Sequence, residues 1–133
     1  MLVHLRSRVV ELLAPVRGAL LSTFGPADIQ AAEVACVARD LRLYVWLPRT
    51  SDLLFNIESH SAVVLSTAAW QVHGCARILK SDAWPRDVDA AQVDQARWLA
   101  LVEVRPVRVH LPAGPQGAET IDIDDGACGG EGV

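Results

Sequence analysis

The chain has no apolar run of the roughly 18–20 residues that cross a bilayer, and Met1 to Pro15 carries charges along its length. Neither a membrane span nor a secretory leader is expected. Cysteine is scarce: Cys36, Cys75 and Cys128 are an odd number without CxxC spacing. That usage suits reduced thiols better than a disulfide frame or a zinc site, so the expected compartment is the cytoplasm. The four histidines, His4, His60, His73 and His110, show no H-x-x-x-H spacing, and no metal site is expected. P-loop, G-x-G-x-x-G and G-x-S-x-G patterns are all missing. Positive charge is also short, with 12 Lys and Arg against 16 Asp and Glu and a net charge of −4. Nucleic acid and anionic membranes, which call for a basic patch, are therefore not expected partners. The acidic run from Ile121 to Gly126 superficially resembles a calcium loop but lacks the far bidentate Glu, so it reads as solvated acid.

What the chain does have is apolar surface. Hydrophobic residues make up 51% of its 133 residues, high for a small soluble monomer. One domain that hides extra surface in a homodimer is the expectation, with aromatics such as Trp46 and Trp70 on exposed faces. Leu2, Leu5, Val9, Leu12 and Leu13 recur at helical spacing and predict a helix over 2–14 that covers one barrel mouth. Gly18 to Phe24, Ile29 to Ala38 and Leu41 to Leu47 read as a three-strand meander, joined by turn chemistry at Gly25-Pro26-Ala27-Asp28 and Arg39-Asp40. Trp70 to Lys80 alternates, with Trp70, Val72, Gly74, Ala76 and Ile78 inward. Ser81 to Asp94 reads as a connection with one helical turn near Val88 to Val93, and Arg97 to Leu111 as a strand in which Pro106 marks a bulge or edge. From residue 113 to 133 the composition predicts a flexible tail after a domain over 1–112.

The most informative stretch is Leu41 to Thr67. Leu41, Leu43, Val45 and Leu47 alternate with Arg42, Tyr44 and Trp46, the period of a strand with two unlike faces. Pro48 stops the ladder, Ser51 is a good N-cap with Asp52 behind it, and Leu53, Leu54 and Ile57 give a short helix to about His60 its apolar face. Ala62 to Leu65 follows as a buried strand. The whole pattern implies a mainly β chain, a six-stranded antiparallel barrel with an N-terminal and a short inserted helix.

This order of strand, Pro48-Arg49-Thr50-Ser51 turn, helix ending near Asn56-Ile57 and buried strand resembles the FMN-binding split β-barrel proteins, in particular the pyridoxamine 5′-phosphate oxidase-like group. Ala19 to Thr23, Trp70 to Gly74 and Val104 to Val109 resemble further strands of that Greek-key barrel, so the likeness spans roughly 18 to 111. It implies an FMN or deazaflavin cofactor held between the subunits of a homodimer. The sequence departs from the group at the phosphate: Leu53 stands where a lysine is usual, flanked by Asp52, Leu54 and Phe55.

Arg49, Thr50 and Ser51 are candidate phosphate ligands, with capping of the helix as Ser51's alternative role. Trp46, beside Tyr44, is placed to stack on a flat ligand, to plug its space, or to pack across a dimer interface. Gln71 and His73 point out of the barrel, toward cofactor or partner subunit. Two functions stand open: a flavin-dependent oxidoreductase whose substrate is not legible, and a split-barrel homodimer that has lost flavin and serves as a binding or structural protein.

Overall fold

A computed structural model describes residues 2–26, 28–80, 84–85, 98–114, 117–123 and 128. The elements run α1 (Leu2–Leu13), β1 (Gly18–Thr23), β2 (Gln30–Arg39), β3 (Arg42–Pro48), α2 (Asp52–Ser59), β4 (Ala62–Ser66), β5 (Gln71–Leu79), β6 (Leu99–Gly114) and β7 (Gly117–Asp122). All strand pairs are antiparallel in the order β3-β2-β1-β4-β5-β6-β7, and β3 also pairs with β6. That last pairing closes six strands into a barrel and leaves β7 outside it, paired with β6 as its one neighbour among the described strands.

Alternation along the strands decides what lies inside. Leu43, Val45 and Leu47 of β3, Val63 and Leu65 of β4, Val72 of β5 and Val102 and Val104 of β6 are at most 2% exposed and form one core. β4 is thus buried on one face only, with Ala62, Val64 and Ser66 half-buried. Asp40 turns β2 into β3 with φ 52°, a left-handed conformation that Asp tolerates. The β5–β6 register slips at His73/Gly74, where β6 reads from Arg108 to Pro106, so Pro106 sits at a bulge as its missing N–H requires. Gly74 is needed at that crossing, because a Cβ there would lie 2.7 Å from both Arg105 O and Val104 Cγ1.

The two helices close the two mouths. Val9 and Leu13 of α1 are fully buried, with Leu5 and Leu12 packed beside the core. Val16 follows them into the same core at the end where β2 hands over to β3. Arg8 of α1 holds Glu119 of β7 through two parallel hydrogen bonds of 2.7 Å. At the other mouth α2 spans from the end of β3 to the start of β4 and buries Leu53, Leu54, Asn56 and Ile57. No described helix is long and apolar enough to cross a membrane.

Three expectations need correction. Residues 117–122 of the expected tail form β7: Ile121 is 5% exposed in the core, and Arg108 donates to Asp122 at 2.6 Å. A single apolar residue anchors that strand, which is too little periodicity to read in advance. Cys75 and Cys128 are joined by a disulfide, and Cys36 is the free, buried thiol. The odd count concealed a pair with one cysteine left over. Trp46 and Trp70 are not exposed but 7% and 3% accessible, whereas Trp98 and Phe55 are 68% and 51% exposed. Trp70, just before β5, packs into the core, and Trp46 is covered from outside by its own chain. The predicted turn at Val88 to Val93 lies outside the described residues.

Candidate functional site

The outward face of β3 carries Tyr44 and Trp46, and β6 sets Glu103 and Leu101 directly opposite them. Tyr44, Trp46 and Leu101 form a second apolar cluster outside the barrel, roofed by Val37, Leu79, Leu99 and Trp84. The Tyr44 hydroxyl donates to Glu103 at 3.1 Å, and Arg77 donates to the other oxygen of that carboxylate at 2.8 Å. The indole N–H groups of Trp46 and Trp84 are both buried and have no acceptor among the described residues. Leaving a buried donor unanswered costs about 1–3 kcal/mol, so two of them in one cluster mark a place that lacks an acceptor.

Three residues beyond Trp46, within about 10 Å of backbone reach, lies Arg49, which leads through Thr50 and Ser51 to the start of α2 at Asp52. Arg49 and Thr50 are exposed and Ser51 is half-buried. The Arg49 N–H is fixed to the Trp98 carbonyl at 3.0 Å, which ties this corner to the beginning of β6. Ser51 is the N-cap: its hydroxyl oxygen accepts from the Leu53 N–H at 3.1 Å, and its carbonyl accepts from Phe55 N–H at 3.2 Å. The capping role read for Ser51 is therefore realised, which leaves Arg49, Thr50 and the first turn of α2 as the candidate groups for an anion at this helix end. Asp52 opposes an anion there. Leu53 and Leu54, at 7% and 5% exposure, point into the core and hold no ligand.

Gln71 and His73 occupy the opposite end of the same outer wall. His73 is exposed and its Nε2 is 3.2 Å from Gln71 Oε1, while β6 places His110 opposite Gln71 and Arg108 opposite His73. His110 Nδ1 is in turn 2.9 Å from Thr120 Oγ1 of β7. Since Pro48 pairs with Leu99 and Leu79 with Leu101, His73 lies about eight strand positions from the Arg49 corner, roughly 25 Å at ~3.3 Å per residue. Within one copy the structure brings Trp46, Arg49, Thr50 and Ser51 together but not Gln71 and His73.

Sequence reasoning missed Asn56. It is fully buried on the core face of α2, and its Nδ2 donates to Thr23 Oγ1 at 3.0 Å and to Asp28 O at 2.9 Å. Thr23, itself fully buried, donates on to Gln30 O at 3.3 Å, so the network fastens α2 to the β1–β2 turn. The signal was present in the three-residue step from Leu53 to Asn56, which puts the amide on the apolar face. Among the described residues no group of His, Cys, Asp and Glu could hold a metal ion.

A flavin, the cofactor that the resemblance in sequence order implies, is tested by these donors. The two unanswered indole N–H groups fit a flat ligand with carbonyl edges, and Arg49 with Thr50 fits its phosphate. Trp84 now covers Trp46, so a ring in this place would have to share the cluster with it.

Compared with known proteins, the chain matches no described protein family and no curated protein by sequence. Solved structures do match its fold. The general stress protein 26 of Bacillus anthracis str. Sterne superposes with a TM-score of 0.65 at 20% identity, covering 90% of this chain and 98% of that one. A Clostridium acetobutylicum protein described as related to general stress protein 26, of the pyridoxinephosphate oxidase family, gives 0.68 at 10% identity over 90% and 95%. A heme binding protein from Mycobacterium smegmatis gives 0.66 at 14% identity, over 88% of this chain and 56% of the other. These likenesses establish the split-barrel fold over nearly the whole chain.

Proposed function

We propose that the chain belongs to the pyridoxamine 5′-phosphate oxidase-like group and acts as a homodimer that holds a flavin-class cofactor, FMN first, on the outer wall of its barrel. The observation that carries this reading is the pair of buried indole donors of Trp46 and Trp84, without an acceptor among the described residues and packed in one cluster, with Trp46 three residues before Arg49 at the approach to α2. Arg49, Thr50 and the first-turn N–H groups would hold the phosphate, and Trp46 with Trp84 the ring. Gln71 and His73 would reach the same ligand from the second copy. The flavin would supply hydride or electron transfer, and the protein would supply placement and exclusion of water.

A second reading, a split-barrel dimer without flavin, has its own support. Trp84 already packs on Trp46, Ser51 is engaged as a cap, and Asp52 and Leu53 stand where positive charge is usual. Titration of the purified protein with FMN, followed by flavin fluorescence, separates the two. The first reading expects saturable binding that Arg49→Ala weakens about tenfold, the loss of one charge-assisted contact, and that Asp52→Lys tightens. A colourless protein that takes up neither FMN nor FAD leaves the second reading in place. Equal FMN affinity for Arg49→Ala and wild type removes Arg49 from the phosphate site.

A further inference from the structure

We infer that Cys75 and Cys128 form a thiol–disulfide switch that fastens β7, through Cys128, to the barrel wall, and that Arg105 keeps the switch reducible. The bridge spans a sequence separation of 53, with Cα atoms 5.4 Å apart. Cys75 sits on the outward row of β5, opposite Ala62 of β4 and Arg105 of β6, immediately after the bulge that Gly74 permits. β5 is hydrogen-bonded on both sides there, so its sulfur is a fixed anchor. The other end is different. β7 has one neighbour among the described strands, and of its six residues only Ile121 is buried. Its remaining ties are Arg8 to Glu119, Arg108 to Asp122 and His110 to Thr120, with Ile123 N–H donating to Val107 O at 2.9 Å just beyond it. A covalent link at residue 128 therefore changes how firmly β7 is held, more than it changes β5.

The chemistry of opening follows from exposure and charge. Cys128 is half-buried while Cys75 is 8% exposed, so an incoming low-molecular-weight thiolate reaches the Cys128 sulfur first. The S–S bond breaks, a mixed disulfide forms on Cys128, and Cys75 leaves as thiolate. The Arg105 guanidinium, with Nη2 3.5 Å from Cys75 Sγ, stabilises that thiolate and makes it the better leaving group. A second thiolate then attacks the mixed disulfide, releasing Cys128 and the oxidised small-molecule disulfide. In balance, the protein disulfide and two small-molecule thiols give a protein dithiol and one small-molecule disulfide, and closure by the small-molecule disulfide is the reverse. Cys36 takes no part, because burial holds its thiol protonated.

The full chain tests this without any bound ligand. Maleimide labelling after denaturation, read by mass, should find one free cysteine in air-equilibrated protein and three after dithiothreitol. In the native reduced protein, two should label and Cys36 should not. Amide exchange over 117–122 should be at least tenfold faster in the reduced protein and in Cys128→Ser than in the oxidised protein, with exchange over 71–79 unchanged. Arg105→Gln should slow reduction by dithiothreitol about fivefold, and Arg105→Lys should restore most of the rate. Three labelled cysteines in the air-equilibrated protein overturn the bridge. Equal exchange of 117–122 in oxidised protein and Cys128→Ser overturns the fastening, and an unchanged rate in Arg105→Gln overturns the role of the arginine.

Discussion

The residue that most repays attention is Asn56, because the mouth of the barrel is closed by a polar side chain where an aliphatic one would be expected. Its amide donates to the fully buried Thr23 hydroxyl and to the carbonyl of the exposed Asp28, and the Thr23 hydroxyl is left without that donor if the amide goes. Asn56→Ala should therefore destabilise the fold by about 2 kcal/mol, a fall in Tm of roughly 5–12 °C. Thermal melts followed by circular dichroism decide it, and a Tm within a degree of wild type would show that the network contributes nothing net. At this scale the sequence was partly legible. Ser51 announced its cap through its type and its place before Asp52, and Arg49 its proximity to a helix start. Trp46 could be assigned to an outward face but not to a fate, since period 2 gives the face of a side chain and says nothing about what covers that face. Its cover, Trp84, comes from a stretch with no periodic pattern.

Among elements, α1 and β7 show how distant parts of the chain come to depend on each other. The Arg8 guanidinium holds the Glu119 carboxyl below the usual carboxylate range, chiefly through their paired hydrogen bonds, with burial opposing them and opposite charge adding a smaller lowering. The sign follows directly. A carboxyl that releases its proton more easily when folded adds stability above the carboxylate pKa of the unfolded chain, about 4.3, and loses that contribution as pH falls through the lower folded value. The same pair raises Arg8, whose window lies beyond the ordinary alkaline range. Both side chains are more than a third exposed, so solvent screens the pair and the effect is modest. The urea midpoint of wild type should exceed that of Glu119→Gln near neutral pH, and the two should converge below about pH 4. A gap that persists or widens in acid would contradict the pairing. None of this tie was readable in advance, because the composition of residues 113–133 resembles solvated chain and strand β7 is held mostly from outside. The strands of the barrel, by contrast, announced themselves: each has an aliphatic inward set at period 2, bounded by turn residues such as Asp40 or by the proline at the bulge.

For the whole molecule, the barrel's closure through β3 and β6 joins segments far apart in the chain, and no local pattern encodes it; it was legible only through the likeness in order of elements. The same closure sets the last problem, since it puts Arg49 and His73 at opposite ends of one wall, roughly 25 Å apart at ~3.3 Å per residue. No ligand of flavin size bridges that span within one copy. In a two-fold dimer, however, a surface patch meets itself in reverse, so the Arg49 end of one wall faces the His73 end of the other. The proposed site is then composite, and a mixing experiment reads this out. Arg49→Ala and His73→Ala should each weaken FMN binding when alone. Refolded together in equal amounts, they should give mixed dimers as about half of the population, each with one site that combines an intact Arg49 and an intact His73, so about a quarter of all sites recover wild-type affinity. Recovery near that fraction identifies the two-copy site. If the mixture binds no better than either variant while each variant is impaired, both residues act within one copy; if His73→Ala alone binds as wild type does, the far end of the wall takes no part.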